Sequence, residues 1–115
     1  AKILHVEDNP VLRRVVAVLS QEIADCDSEE TVAEAAEKIA PRQYDLIILD
    51  LGMPDQSGWH VLEYLRHCQP QPPVLVFSGQ KPTGEASTCV SSVLVKSQTS
   101  NAELLETIRM LVKKE

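Results

Sequence analysis

No run of apolar residues here approaches the roughly 20 needed to cross a bilayer as a helix, and no signal-peptide pattern opens the chain. Membrane insertion is therefore not expected, and a cytoplasmic location is. Excess positive charge is also missing: 11 Lys and Arg face 17 Asp and Glu, for a net charge of −6. That balance argues against direct binding to nucleic acid or to anionic membranes. Cysteine is scarce and badly spaced for metal or disulfide chemistry. Cys26, Cys68 and Cys89 are odd in number and form no C-x-x-C pair or zinc spacing, so reduced thiols are the default. Internal repeats and low-complexity tracts are absent as well. What remains is a single domain over residues 1–115, large enough for a real core. It starts at Ala1 rather than Met, as expected of a piece cut from a longer protein.

Apolar periodicity predicts alternating strands and helices. Residues 2–6 read as a buried strand, then Asn9 as an N-cap with Pro10 in the first helical position. Leu12, Val15, Val16, Leu19 and Ile23 give the first amphipathic helix. Residues 24–27 make a poor strand by propensity, suited to a sheet edge. Ser28 is the expected cap of a second helix with Val32, Ala35, Ala36 and Ile39 inward, ended by Pro41. Residues 45–50 form the clearest strand, a near-continuous apolar run of the kind buried on both faces of a parallel sheet. A third helix follows with Val61, Leu62, Leu65 and Cys68 inward, and then a strand at 74–77. Any helix within 81–89 should be short, because Pro82 and Gly84 disfavour a long one. A short strand at 93–95 precedes a helix opened by the capping box Ser100-Asn101-Ala102-Glu103 and buried through Leu104, Leu105, Ile108 and Val112. Five strands alternating with helices predict an α/β, doubly wound parallel sheet covered on both faces.

In such sheets the functional crevice lies at the carboxyl ends of the strands. Glu7 and Asp8 close the first strand and Asp50 closes the third, while Ser78 and Lys96 follow the fourth and fifth. At about 4 Å and an effective dielectric near 20, each like-charge pair among the acids repels by roughly 4 kcal/mol. A chain that gathers them has a use for a divalent cation beside a reactive aspartate. Singly, each residue has a plainer role: a solvated rim acid, a turn serine, a surface lysine. His5 reads as a core or rim histidine, and His60 and His67 as solvated residues on the third helix.

Taken together, Glu7-Asp8, Leu49-Asp50 with Met53-Pro54 and Gly58, Ser78, and Leu94-Val95-Lys96 resemble the receiver domains of two-component response regulators, the CheY-like family. The resemblance covers essentially the whole chain and implies a flavodoxin-like, CheY-like sheet of strand order 2-1-3-4-5. It implies that Asp50 accepts a phosphoryl group from a phosphohistidine, with Lys96 and Ser78 assisting. Glu7, Asp8, Asp50 and the carbonyl of Gly52 would supply oxygens to Mg2+, and Gly79 would leave its N–H free to approach the phosphoryl group. The partner would be a histidine kinase or a histidine phosphotransfer domain, docking near Val11, Leu12 and Arg14. The domain would catalyse its own phosphorylation without being a turnover enzyme alone.

Several positions depart from the family pattern. Val93 stands where the family usually has a switch aromatic, and Ser97 where proline commonly follows the lysine. The stretch between Ser78 and Lys96 is shorter than usual, and Gly52 replaces a larger side chain, which should expose the acyl phosphate. These losses touch output more than chemistry and suit a phosphoryl shuttle or the receiver of a hybrid sensor histidine kinase. The alternative is a pseudo-receiver acting as a constitutive protein-interaction module. A flavodoxin-type cofactor carrier is disfavoured because Glu7-Asp8 would repel a phosphate after the first strand. A haloacid-dehalogenase-type phosphatase would need a second aspartate at residue 52. The crowded acids also predict that Mg2+ raises the melting temperature and that Asp50→Asn stabilises the metal-free protein.

Overall fold

The computed structural model describes residues 1–39, 43–66, 71–79 and 90–112. Its elements run, in chain order, β1 (Lys2–Val6), α1 (Pro10–Ser20), β2 (Asp25–Glu29), α2 (Val32–Ile39), β3 (Leu46–Leu49), α3 (Trp59–Leu65), β4 (Val74–Ser78), β5 (Ser92–Val95), a 3-10 turn (Lys96–Gln98) and α4 (Asn101–Val112). All strand pairs are parallel, and the order is β2-β1-β3-β4-β5. The expected doubly wound sheet is what forms, with four α-helices among the described residues.

Side chains alternate across the sheet and split the core in two. Leu4, Val6, Ile47, Leu49, Val74 and Val76 face α2 and α3, where they meet Val32, Ala35, Ile39, Val61, Leu62 and Leu65. Ile3, Leu46, Ile48, Leu75 and Phe77 face α1 and α4, against Val16, Leu104, Ile108 and Leu111. The strand Leu46-Ile47-Ile48-Leu49 is wholly buried because it needs apolar side chains for both layers. The acid-rich β2 lies at the edge, where only one neighbour must be paired.

Two caps read from sequence are in place. The Asn9 side chain accepts from Val11 N at 2.9 Å and Leu12 N at 3.3 Å, ahead of Pro10. Ser100 Oγ accepts from Glu103 N at 3.1 Å, and Glu103 Oε1 accepts from Ser100 N at 3.2 Å. The cap expected at Ser28 is not. Ser28 pairs with His5 and Glu29 with Val6, so β2 runs further than its propensity suggests, because β1 offers a full set of ladder partners. The cap falls instead to Thr31, whose Oγ1 accepts from Glu34 N at 3.1 Å and donates to Glu34 Oε1 at 3.1 Å. Ile23 lies past the end of α1, where the chain turns back on the carbonyl of Ser20. On α4, Leu111 is buried, whereas Leu105 and Val112 are only half so. Pro41, His67, Cys68 and the stretch 81–89 lie outside the described residues.

Candidate functional site

Four of the five strands deliver a polar group to the same rim. Glu7 follows β1, and Asp50 follows β3, with the Asp50 N–H donating to Val6 O at 3.1 Å. Ser78 ends β4 and Lys96 follows β5. Glu7, Asp50 and Ser78 are buried, while Asp8 is exposed. Carboxylate oxygens of Glu7, Asp8 and Asp50 all lie within 4.8 Å of one another. The sequence-predicted residues are thus brought together.

Lys96 sits at the centre. Its ammonium donates to Asp50 Oδ2 at 2.9 Å. It also forms an ion pair with Glu7 Oε1 at 2.8 Å, a buried oxygen with no other polar partner among the described residues. Asp50 Oδ1 accepts from Ser78 Oγ at 2.7 Å and from the Gly52 N–H at 3.1 Å. Glu7 Oε2 accepts from Asn9 N at 3.2 Å, and Arg13 Nη1 donates to Glu7 O at 3.0 Å.

The two carboxylates respond oppositely to this setting. Burial pushes the Glu7 carboxyl above its ordinary range, helped by the charge of Asp50 and opposed by Lys96 and the Asn9 N–H. Burial acts on Asp50 in the same sense, but Lys96, Ser78 and the Gly52 N–H outweigh it and hold the carboxyl below its ordinary range. Lys96 is desolvated too, yet its two carboxylate partners raise it. Of the two, Glu7 is thus the more readily protonated and Asp50 the more readily ionised. His5, beneath the site in β1, is pushed down to about 3, mainly by burial and then by Lys96, and is a neutral core residue. His60 is exposed, as expected from its place on α3.

The loop after Asp50 closes on itself. Gly58 N donates to Leu51 O at 3.0 Å, and a Cβ at Gly58 would lie 2.2 Å from the Asp50 carbonyl oxygen. Only glycine permits that approach. Gly52 is exposed between the buried side chains of Leu51 and Met53. Two supporting residues gave no sequence signal strong enough to single them out. Arg13 clamps the carbonyl of Glu7 from α1, and Asp55 reaches from this loop to the first turn of α2.

The donor set suits a hard divalent cation. Carboxylate oxygens converge from two strand ends, and one buried oxygen of Glu7 has only the Lys96 ammonium beside it. A rim of this kind would repel a flavin or nucleotide phosphate. The comparisons with known proteins agree. Residues 3–109 match the response regulator receiver domain family. BasR of Escherichia coli, a transcriptional regulatory protein, is 36% identical over 80 residues, which cover 69% of this chain and 36% of that protein. The chain therefore spans about a third of that relative's length. Among solved structures, the response regulator TrrA of Thermotoga maritima, in complex with Mg2+-BeF, is 29% identical with a TM-score of 0.83, covering 96% of this chain and 97% of that one. The BeF3-activated N-terminal receiver domain of RstA from Klebsiella pneumoniae is 27% identical with a TM-score of 0.83, covering 99% and 100%. The chain belongs to the response regulator receiver domain family, the phosphoryl-accepting modules of two-component signalling.

Proposed function

We propose that Asp50 is the phosphoacceptor, that Glu7, Asp8, Asp50 and the carbonyl of Gly52 hold Mg2+ beside it, and that the donor is a phosphohistidine on a histidine kinase or phosphotransfer domain in the cytoplasm. The single observation that carries this reading is Lys96 lying 2.9 Å from Asp50 Oδ2 while Ser78 holds Oδ1 at 2.7 Å. One carboxylate oxygen of Asp50 forms the new O–P bond as the N–P bond of the donor breaks. The electron pair leaves on the imidazole nitrogen, which takes up a proton. When bound, Mg2+ would neutralise charge on the non-bridging phosphoryl oxygens. Lys96 and Ser78, both donating to the carboxylate at rest, turn to the phosphoryl oxygens as it arrives. Among the described residues other than its chain neighbours, nothing lies within 4 Å of where a Cβ of Gly79 would be, which supports room beside that group.

Val11 and Arg14 are exposed at the start of α1 and are the positions where the donor docks, whereas Leu12 packs against the core between the sheet, α1 and α4. The complete polar set counts against a constitutive pseudo-receiver. Incubation with Mg2+ and acetyl phosphate, followed by intact mass measurement, tests the reading. One phosphoryl adduct is expected, and none in Asp50→Asn. An adduct that persists in that variant, or no adduct in the parent, overturns it.

A further inference from the structure

The loop between β3 and α3 carries Gly52, and most of its anchors are local. Leu51 and Met53 bury their side chains on either side of Gly52, and Gly58 closes the loop onto Leu51. The exposed tip behaves differently. Asp55 reaches out of the loop to another element: its Oδ1 accepts from Val32 N at 3.1 Å and its Oδ2 from Ala33 N at 3.2 Å. These are first-turn amides of α2, which no intrahelical carbonyl can satisfy. The helix's own cap, Thr31, serves a different amide, that of Glu34. The helix thus has two independent caps, one from its own chain end and one from the loop beside the phosphoacceptor. Pro54 restricts the backbone between Met53 and Asp55, so the lever from the cap to Gly52 is short and stiff.

We propose that Asp55 is a positioning residue for the phosphoacceptor site. By bridging the first turn of α2, it fixes the loop so that the Gly52 N–H stays on Asp50 Oδ1 and the Gly52 carbonyl would be held in place to serve a bound Mg2+. The second half of that statement rests on the proposed role of Gly52 as a metal ligand; the first half does not. A cap that served α2 alone would leave Gly52 indifferent to its removal. A strap makes Gly52 sensitive to Asp55 and insensitive to Thr31.

Amide hydrogen exchange followed by NMR on the metal-free protein, together with calorimetric titration with Mg2+, separates these cases in Asp55→Ala, Asp55→Asn and Thr31→Ala. Asp55→Ala is expected to speed exchange of the Gly52 amide about tenfold by loosening the loop locally. It is also expected to weaken Mg2+ binding by roughly tenfold, as loss of support behind a metal ligand does. Thr31→Ala should lower the melting temperature comparably and change neither readout, while Asp55→Asn, which keeps one acceptor oxygen, should recover part of both. Equal Gly52 exchange in Asp55→Ala and the parent overturns the proposal, as does an equal acceleration in Thr31→Ala. A parent that binds no Mg2+ refutes the metal assignment instead, and the exchange comparison still decides the role of Asp55.

Discussion

Glu7 and Asp50 end neighbouring strands and lie within 3 Å of the same ammonium, yet their surroundings drive them apart. Glu7 is fully buried, and the oxygen facing Lys96 has no polar partner besides that ammonium among the described residues. Asp50, buried at the same level of the sheet, gains a hydroxyl and a backbone N–H besides the lysine. The difference teaches that proximity to a cation does not by itself set a carboxylate's proton affinity. The count of donors weighed against desolvation does. One acid is thereby held as a carboxylate, while the other is the more readily protonated.

The comparison can be broken most violently at the loop that supports Asp50. Gly58→Ala drives a methyl group into the Asp50 carbonyl and should cost about 3 kcal/mol, at the upper end for forced overpacking; urea unfolding measures it. Removing the shared cation comes next. Lys96→Met leaves two carboxylates facing each other and should destabilise the metal-free protein by roughly 2 kcal/mol, discounted from the fully buried range because Lys96 keeps partial exposure. Added Mg2+ should restore more stability to that variant than to the parent.

A finer test swaps the two acids in turn. The sequence, read for repulsion alone, predicts that Asp50→Asn stabilises the metal-free protein. With Lys96 in place the burden falls on Glu7, so Glu7→Gln should raise the melting temperature and Asp50→Asn should lower it or leave it unchanged. The reverse order would refute the contrast drawn between them. The smallest effect concerns Asp55, whose carboxyl lies below its ordinary range: slight burial raises it, and the N–H donors of Val32 and Ala33 outweigh that. A depressed folded-state value contributes stability above the unfolded value, near pH 3.9, and loses it as pH falls through the folded one. Thermal melts of Asp55→Asn should therefore depend less steeply on pH than those of the parent below about pH 4.

Much of this molecule was legible before its structure. The run Leu46-Ile47-Ile48-Leu49, the caps at Asn9 and at Ser100 with Glu103, and the acids at strand ends are local signals, since each depends on residues within a turn or two of itself. They determined the element types, the parallel α/β class and the rim where the polar residues gather. The family resemblance supplied the strand order, which the sheet shows, and the roles proposed for Asp50, Ser78, Lys96 and Gly52. Other features were settled only by tertiary contacts. β2 extends through Ser28 because β1 offers ladder partners, which displaces the cap of α2 to Thr31. Asp55 caps a helix that lies far from it in sequence, and glycine is required at residue 58 by a carbonyl from another part of the loop. The opposite tuning of Glu7 and Asp50 belongs to the same group. Hydrogen bonds fail beyond about 3.5 Å, and desolvation depends on everything packed around a charge. A linear sequence carries neither quantity until folding has set the distances.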